Sequence, residues 1–262
     1  MTAYERLQIA RSQDRPTSRA YIERLFTDTL ELHGDRKYAD DPAVIGGIGY
    51  LGDIPVTFIG IERGRDLQER ILCNFGCPMP EGYRKALRLM KQAEKFSRPV
   101  ICFVDTSGAF CGEEAEERGQ GQAIADNLMQ MMGLKTPIIT IVIGEGGSGG
   151  ALGLSVANRV YMLENAVFSV ISPEGCASIL WEDSRKADEA AECLKITAED
   201  MKRFGVAEDV IPEEFDDFDC MCERMKIRLQ KDLDELCALS GTEVSEKRYA
   251  RFRKLGFYQE NN

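Results

Sequence analysis

Two glycine-rich stretches hold the residues whose types and spacing can do chemistry. The first is Asp105-Thr106-Ser107-Gly108-Ala109-Phe110-Cys111-Gly112. The second is Gly144-Glu145-Gly146-Gly147-Ser148-Gly149-Gly150, with five glycines in seven residues. Glycine lets the chain turn sharply and leaves its N–H groups uncovered. Each stretch follows an apolar, largely β-branched run, Val100 to Val104 and Ile138 to Ile143, and each precedes a segment of helical pattern. The small residues from Ala151 to Ala157 predict a helix able to press against a sheet. A helix N-terminus offers unpaired N–H donors and the positive end of a dipole. The chemistry is stabilisation of negative charge by main chain alone, on a phosphate or on a developing oxyanion.

A phosphate loop needs a lysine after its glycines, and none is present here. Gly144-x-Gly146-x-x-Gly149 spells a dinucleotide fingerprint, but its strand lies past the middle of the chain. A tight turn without a ligand is the plain alternative, and the second glycine loop upstream weighs against it. His33 is the only histidine, so a Ser-His-Asp triad would have to use it; its position reads as capping or packing at a helix end. The nine cysteines are scattered, and neither Cys73/Cys77 nor Cys220/Cys222 has zinc-site spacing, so reduced thiols and no metal are expected. A net charge of −11 argues against nucleic-acid binding. No apolar run approaches the roughly 20 residues of a membrane span. Met1 to Arg15 is polar and unlike a signal peptide, so a cytoplasmic location is expected.

The elements that must position these loops suggest a single α/β domain over residues 1–262. Residues 1–15 read as a polar lead-in, and Pro16 to Leu32 as one helix capped by Thr17 or Ser18. Val44 to Tyr50 and Pro55 to Ile61 predict a hairpin. Glu62 to Cys77 reads as an irregular loop whose Arg63, Arg65 and Arg70 face solvent or an anion. A helix opens at Pro80. Glu113 to Met132 reads as one helix joining the two strand–loop units in a parallel crossover, which places both loops at one sheet edge. Strands follow at Val160 to Leu163 and Val167 to Ile171. Ser172 and Pro173 start a helix, Asp183 to Leu194 is helical, and Thr197 caps a short helix closed by Gly205. A last strand ends at Pro212, and Asp216 to Leu239 is an amphipathic helix. Residues 240–262, basic and aromatic, read as a docking tail or a frayed end.

Five motifs then carry a resemblance: Asn74 to Ala86, Asp105 to Phe110, Ala115 to Gln120, Gly144 to Ala151 and Ser169 to Trp181. In order, and over nearly the whole chain, they resemble the α subunit of bacterial acetyl-CoA carboxylase carboxyltransferase. The resemblance implies a crotonase-like superhelix of β–β–α units. It implies carboxyl transfer to acetyl-CoA, giving malonyl-CoA for fatty acid synthesis, from carboxybiotin held on a separate carrier and not on this chain. The implied partners are a β subunit bearing a zinc ribbon, in an α2β2 assembly, with the biotin carboxyl carrier protein and biotin carboxylase. Biotin's own nitrogen can act as base in this chemistry, which suits a chain with one histidine. Two oxyanions remain, the ureido oxygen and the enolate. The resemblance assigns the ureido side to this subunit and most of the enolate side to the β subunit. The candidate donors here are backbone N–H groups of Gly146, Gly147, Gly149 and Gly150, the last two foremost because they lead into the helix. Gly108, Ala109 and Phe110 would wall the pocket, with Glu117, Arg118 and Gln120 as further substrate contacts. The family pattern has Pro where Ser107 stands, Tyr at Phe110, Pro at Cys111 and Met at Cys77. Two other readings are a subunit of a different biotin-dependent acyl-CoA carboxylase or decarboxylase, and a non-catalytic scaffold.

Overall fold

The computed structural model describes residues 1–256. Helix α1 (Ala3–Ala10) stands where a polar lead-in was expected. Thr2 and Glu5 cap it reciprocally: the Glu5 N–H donates to Thr2 Oγ1 at 3.1 Å and the Thr2 N–H to Glu5 Oε2 at 2.7 Å. Its only buried residues, Ala3, Leu7 and Ala10, pack on Val167, Ala191 and Ile196, too sparse a stripe to stand out in a polar sequence. The expected helix over Pro16 to Leu32 is half right. Helix α2 (Ser18–Leu25) ends at Phe26, which is extended, and β1 (Thr27–Glu31) takes the rest by pairing with β2 (Val44–Leu51). Tertiary pairing overrides helical spacing where Thr27 and Thr29 suit a strand. Neither expected cap acts. Thr17 makes no capping bond, and the Ser18 hydroxyl donates to the Ile61 carbonyl at 2.6 Å.

Strand β3 (Ile54–Ile61) completes the hairpin with β2, turning at Gly52 with φ 63°. Within the expected irregular loop lies α3 (Leu67–Leu72), capped by Asp66. Helix α4 (Pro80–Lys95) opens at its proline and leads to the fully buried β4 (Val100–Thr106). The single helix expected from Glu113 is two, α5 (Glu113–Glu117) and α6 (Gln120–Gly133), because Gly119 sits at φ 81° between them. Strand β5 (Ile138–Gly147), α7 (Ser148–Leu152), β6 (Arg159–Leu163) and β7 (Val167–Ser169) follow. Helix α8 (Pro173–Trp181) has the expected cap, Ser172 Oγ accepting from the Gly175 N–H at 3.1 Å. After α9 (Ala187–Leu194), α10 (Ala198–Arg203) shows a capping box of Thr197 with Asp200, and Gly205 closes it at φ 73°. Strand β8 (Asp209–Ile211) precedes α11 (Phe218–Cys237), which buries Met221, Cys222, Met225, Leu229, Leu233 and Leu236, close to the expected spacing.

The last described helix, α12 (Gly241–Arg253), takes up most of the segment read as a docking tail or a frayed end. It is anchored by Arg248, which is fully buried and donates to the carbonyls of Met131, Leu134 and Thr136 at 2.6–2.7 Å and to Asn158 Oδ1 at 2.6 Å. Positions 257–262 of the expected tail lie outside the described residues.

Among the described residues, eight strands form one sheet in the order β1-β2-β3-β4-β5-β6-β8, with β7 also on β5. Pairing is antiparallel up to β3 and parallel beyond it. Strand β5 serves two neighbours. Ile139 to Val142 pairs with β6, and Glu145 to Gly147 pairs with β7. The changeover coincides with a slip against β4: Val104 faces Val142, but Thr106 faces Gly146. Such a bulge bends a strand and raises its twist. Aromatic stacking of Tyr21 on Phe103 and Phe26 on Phe58 fills the core under β3 and β4. Among the described residues, no helix is long and apolar enough to cross a membrane.

Candidate functional site

The second glycine stretch is divided differently from expectation. Strand β5 continues through Gly147 instead of stopping at Ile143, because Gly146 pairs with Phe168 and Gly147 with Ser169. The helix begins at Ser148, which turns the chain at φ 48°, and is one turn long; the longer helix expected over 151–157 is absent from the described residues. Gly146 and Gly147 are therefore strand residues, while Gly149 and Gly150 lie in the first turn of α7. No side chain among the described residues caps that turn.

The two glycine loops meet at one sheet edge, as expected. A Cβ on Gly147 would lie 2.1 Å from the Ser107 carbonyl oxygen, and one on Gly150 2.6 Å from Ala109 N. These glycines allow backbone to touch backbone. At Gly149 the same atom would meet only Ile124, at 3.8 Å. The wall is pinned from several sides. Thr106 Oγ1 donates to the Gly108 carbonyl at 2.8 Å and accepts from its N–H at 3.0 Å. The Phe110 N–H donates to the Pro78 carbonyl at 3.0 Å. The buried Tyr83 hydroxyl donates to the Gly150 carbonyl at 3.1 Å.

The remaining expected contacts lie behind this wall. The Gln120 amide donates to the carbonyls of Pro78 and Phe110, both at 2.8 Å. Arg118 is held by Glu81 at 2.5 Å and lies over the Tyr38 ring at 4.7 Å, and Glu117 is exposed on α5. Gln120 thus supports the loop, Arg118 is bound to α4, and the structure does not gather the three at the turn. Two departures from the family pattern touch each other, Cys77 Sγ lying 3.4 Å from Ser107 Oγ. His33 caps no helix. It follows β1 and meets Asp40 Oδ2 at 2.9 Å on the exposed surface.

Sequence reasoning missed an ionic cluster beneath the loops. Arg63, expected to face solvent or an anionic ligand, instead reaches two of the chain's own carboxylates, Asp105 Oδ1 at 3.4 Å and Glu145 Oε1 at 2.6 Å. Arg11, just past α1, binds Glu145 Oε2 at 2.9 Å and Glu174 Oε1 on α8 at 2.7 Å. Burial pushes the Asp105 carboxyl above the usual carboxylate range, against the pull of Arg63. Burial works to lower the Arg63 guanidinium, but Asp105 and Glu145 outweigh it. A cavity of about 440 Å³ opens beside the cluster, lined by Arg15, Arg70, Phe75 and Ser107 among others. Arg65, by contrast, is a surface residue paired with Glu69 at 2.8 Å. The one sequence signal was a pair of acids, Asp105 and Glu145, at the ends of otherwise buried strands.

A second buried acid supports the wall from below. Asp41 accepts from the N–H groups of Ala43 at 2.9 Å and Met79 at 2.8 Å. Burial raises its pKa to about 6, against those bonds and the charge of Lys85. The amides and small walls at the turn are suited to holding negative charge.

Comparison with known proteins follows the same line. A family profile described as acetyl co-enzyme A carboxylase carboxyltransferase-like matches residues 1–256. The acetyl-coenzyme A carboxylase carboxyl transferase subunit alpha of Ruminiclostridium cellulolyticum is 56% identical over 98% of this chain and 98% of its own. A chain of Natranaerobius thermophilus named as subunits beta/alpha is 53% identical over 100% of this chain, which spans 44% of that longer one. Among solved structures, transcarboxylase 12S superposes with a TM-score of 0.71 at 18% identity over 88% of this chain, and the beta subunit of Pseudomonas aeruginosa geranyl-CoA carboxylase with 0.67 at 16% over 95%. This chain spans less than half of each, 44% and 46%. At such identities the likeness speaks for the fold, which is crotonase-like.

Proposed function

The chain belongs to the acetyl-CoA carboxylase carboxyltransferase-like family, and from that premise we propose how its two glycine loops serve carboxyl transfer to acetyl-CoA. It is the alpha subunit of the transferase that forms malonyl-CoA, the entry to fatty acid synthesis. Carboxybiotin on a separate carrier protein supplies the carboxyl group and, once that has left, a basic nitrogen. This chain's part is to receive the urea end and hold the negative charge that gathers on its oxygen. The N–H groups of Gly149 and Gly150, second and third in α7, are the donors, with Gly108, Ala109 and Phe110 as the wall. Gly146 and Gly147 set the turn from the strand. Losing one such donor typically lowers turnover about 10²–10³-fold.

The observation that carries this reading is the uncapped turn of α7 lying backbone to backbone against the 107–110 loop. N–H donors at a turn with small side chains suit a flat, neutral urea that becomes anionic only during reaction. The donors for the acetyl-CoA enolate come from a β subunit, and the fused beta/alpha relative supports that pairing. The working unit is α2β2, in the cytoplasm, served by the biotin carboxyl carrier protein and biotin carboxylase. The test is malonyl-CoA formation from carboxybiotin by the purified chain, the purified β subunit and their mixture. Turnover is expected in the mixture alone. Turnover by the isolated chain, or none by a mixture whose mass shows assembly, overturns the reading.

A further inference from the structure

The ionic cluster sits where the register of β4 on β5 slips. With Val104 facing Val142 and Thr106 facing Gly146, Asp105 stands opposite Ile143, Gly144 and Glu145 together. Backbone groups in such a bulge lose their ladder partners and need others. Asp105 Oδ1 takes the Glu145 N–H at 2.8 Å, so a side chain replaces the missing ladder bond. Gly144 makes room for it, since a Cβ there would lie 2.3 Å from the same oxygen. Arg63 closes the arrangement by binding both carboxylates. Asp105 lies two residues before the 107–110 wall, and Glu145 two residues before the 147–150 turn. Buried ion pairs can often be exchanged for apolar groups without loss of stability, so stability by itself is a weak reason for this one.

We propose that Arg63 is a positioning residue: by clamping Asp105 to Glu145 across the bulge, it sets the spacing and angle between the 107–110 wall and the 147–150 turn. The aim of the amide donors then depends on a guanidinium held on the two carboxylates and away from the α7 turn itself. That consequence for turnover rests on the function proposed above; the clamp itself does not.

The experiment compares Arg63→Met, Arg63→Lys and the double variant Arg63→Met/Asp105→Asn, each in the full chain, alone and assembled with the β subunit. A misplacement near 1 Å can cost about 10²-fold, so Arg63→Met is expected to lower kcat on the order of 10- to 100-fold, with KM for acetyl-CoA within about two-fold. Lysine keeps the charge but not the two-armed fork, so Arg63→Lys recovers only part of kcat. The double variant removes one stranded carboxylate and regains melting temperature, but not kcat. In the isolated chain, hydrogen exchange over residues 144–151 quickens in Arg63→Met, while residues 131–136 keep the wild-type rate. Recovery of kcat together with melting temperature in the double variant reduces Arg63 to a structural residue. Wild-type kcat and wild-type exchange in Arg63→Met also overturn the proposal. If Arg63→Met does not fold, the lysine and double variants carry the same comparison. If the wild-type complex makes no malonyl-CoA, the transferase reading fails, and the exchange rates still decide the clamp.

Discussion

Strand β5 has an arginine at each end, Arg248 fully buried and Arg63 partly so, and the two are handled in opposite ways. At its N-terminal end Arg248 has no carboxylate partner within salt-bridge reach among the described residues. It is satisfied by three carbonyls and one side-chain amide oxygen, and burial lowers its pKa to about 10. Two of those carbonyls, Met131 and Leu134, lie at the end of α6, where helix carbonyls lack partners and a cation is favoured. At the C-terminal end Arg63 is matched by Asp105 and Glu145. One arginine uses up spare acceptors and closes the fold. The other organises acids so that spare donors nearby stay available. The difference teaches that the polar groups of one sheet are consumed at its closed end and kept in reserve at its open end.

Arg248→Met should break the closed end and have the largest effect. It strands several buried acceptors and leaves a void, for a loss of about 3–5 kcal/mol in urea denaturation. The assembled fraction that survives should turn over at close to the wild-type rate. A large fall in kcat at unchanged stability would erase the contrast between the two ends. Gly150→Val tests the open end. Its side chain must enter the Ala109 backbone, so turnover of the assembled complex should fall about 10²–10³-fold. Native mass spectrometry should still find the complex, and loss of assembly would move Gly150 from the site to the scaffold.

Asp41 sharpens the comparison through pH. Its folded pKa of about 6 lies above the usual carboxylate value, so the folded chain holds this proton more tightly than the unfolded one. Its contribution is fully present below about pH 4 and is lost as pH rises through about 6, to the extent of roughly 2–3 kcal/mol. Asp41→Asn should flatten that part of the stability–pH curve, read by denaturant midpoints between pH 4 and 7; an unchanged slope would show that another group titrates there. The smallest effect is expected at Gly149→Ala, where the new methyl meets only Ile124. Replacing a helical glycine should raise stability by a few tenths to about 1 kcal/mol. A melting temperature well below wild type would mean that the turn is as tightly packed at Gly149 as at Gly150.

Much of this was legible in the sequence where the determinants are local. The β2–β3 hairpin, the opening of α4 at Pro80, the Ser172–Pro173 start, the Thr197 cap with Gly205 and the buried stripe of α11 are set by neighbours a few residues apart. The two strand–loop–helix units were visible for the same reason, and the five motifs pointed to the family before any coordinates. What escaped depends on distant partners. Residues 1–15 look like a polar tail until Leu7 finds Ile196 and Ala191. Thr27 to Glu31 look helical until β2 offers a ladder. Gly146 and Gly147 look like loop until β7 pairs with them. Arg63 and Arg248 look like surface charges because their partners lie 42 or more positions away along the chain, Asp105 being the nearest.

The sequence by itself determined that two glycine loops follow two buried parallel strands, which family the chain joins, and that side-chain acid–base chemistry is scarce. Only the tertiary structure decided which glycines are strand and which are helix, and that the loops touch. The same is true of the four charged groups under them, Arg11, Arg63, Asp105 and Glu145. The physical reason is that backbone conformation and apolar periodicity are written over a few residues at a time. The matching of a buried charge or an unpaired amide is settled only when segments far apart in the chain are brought together.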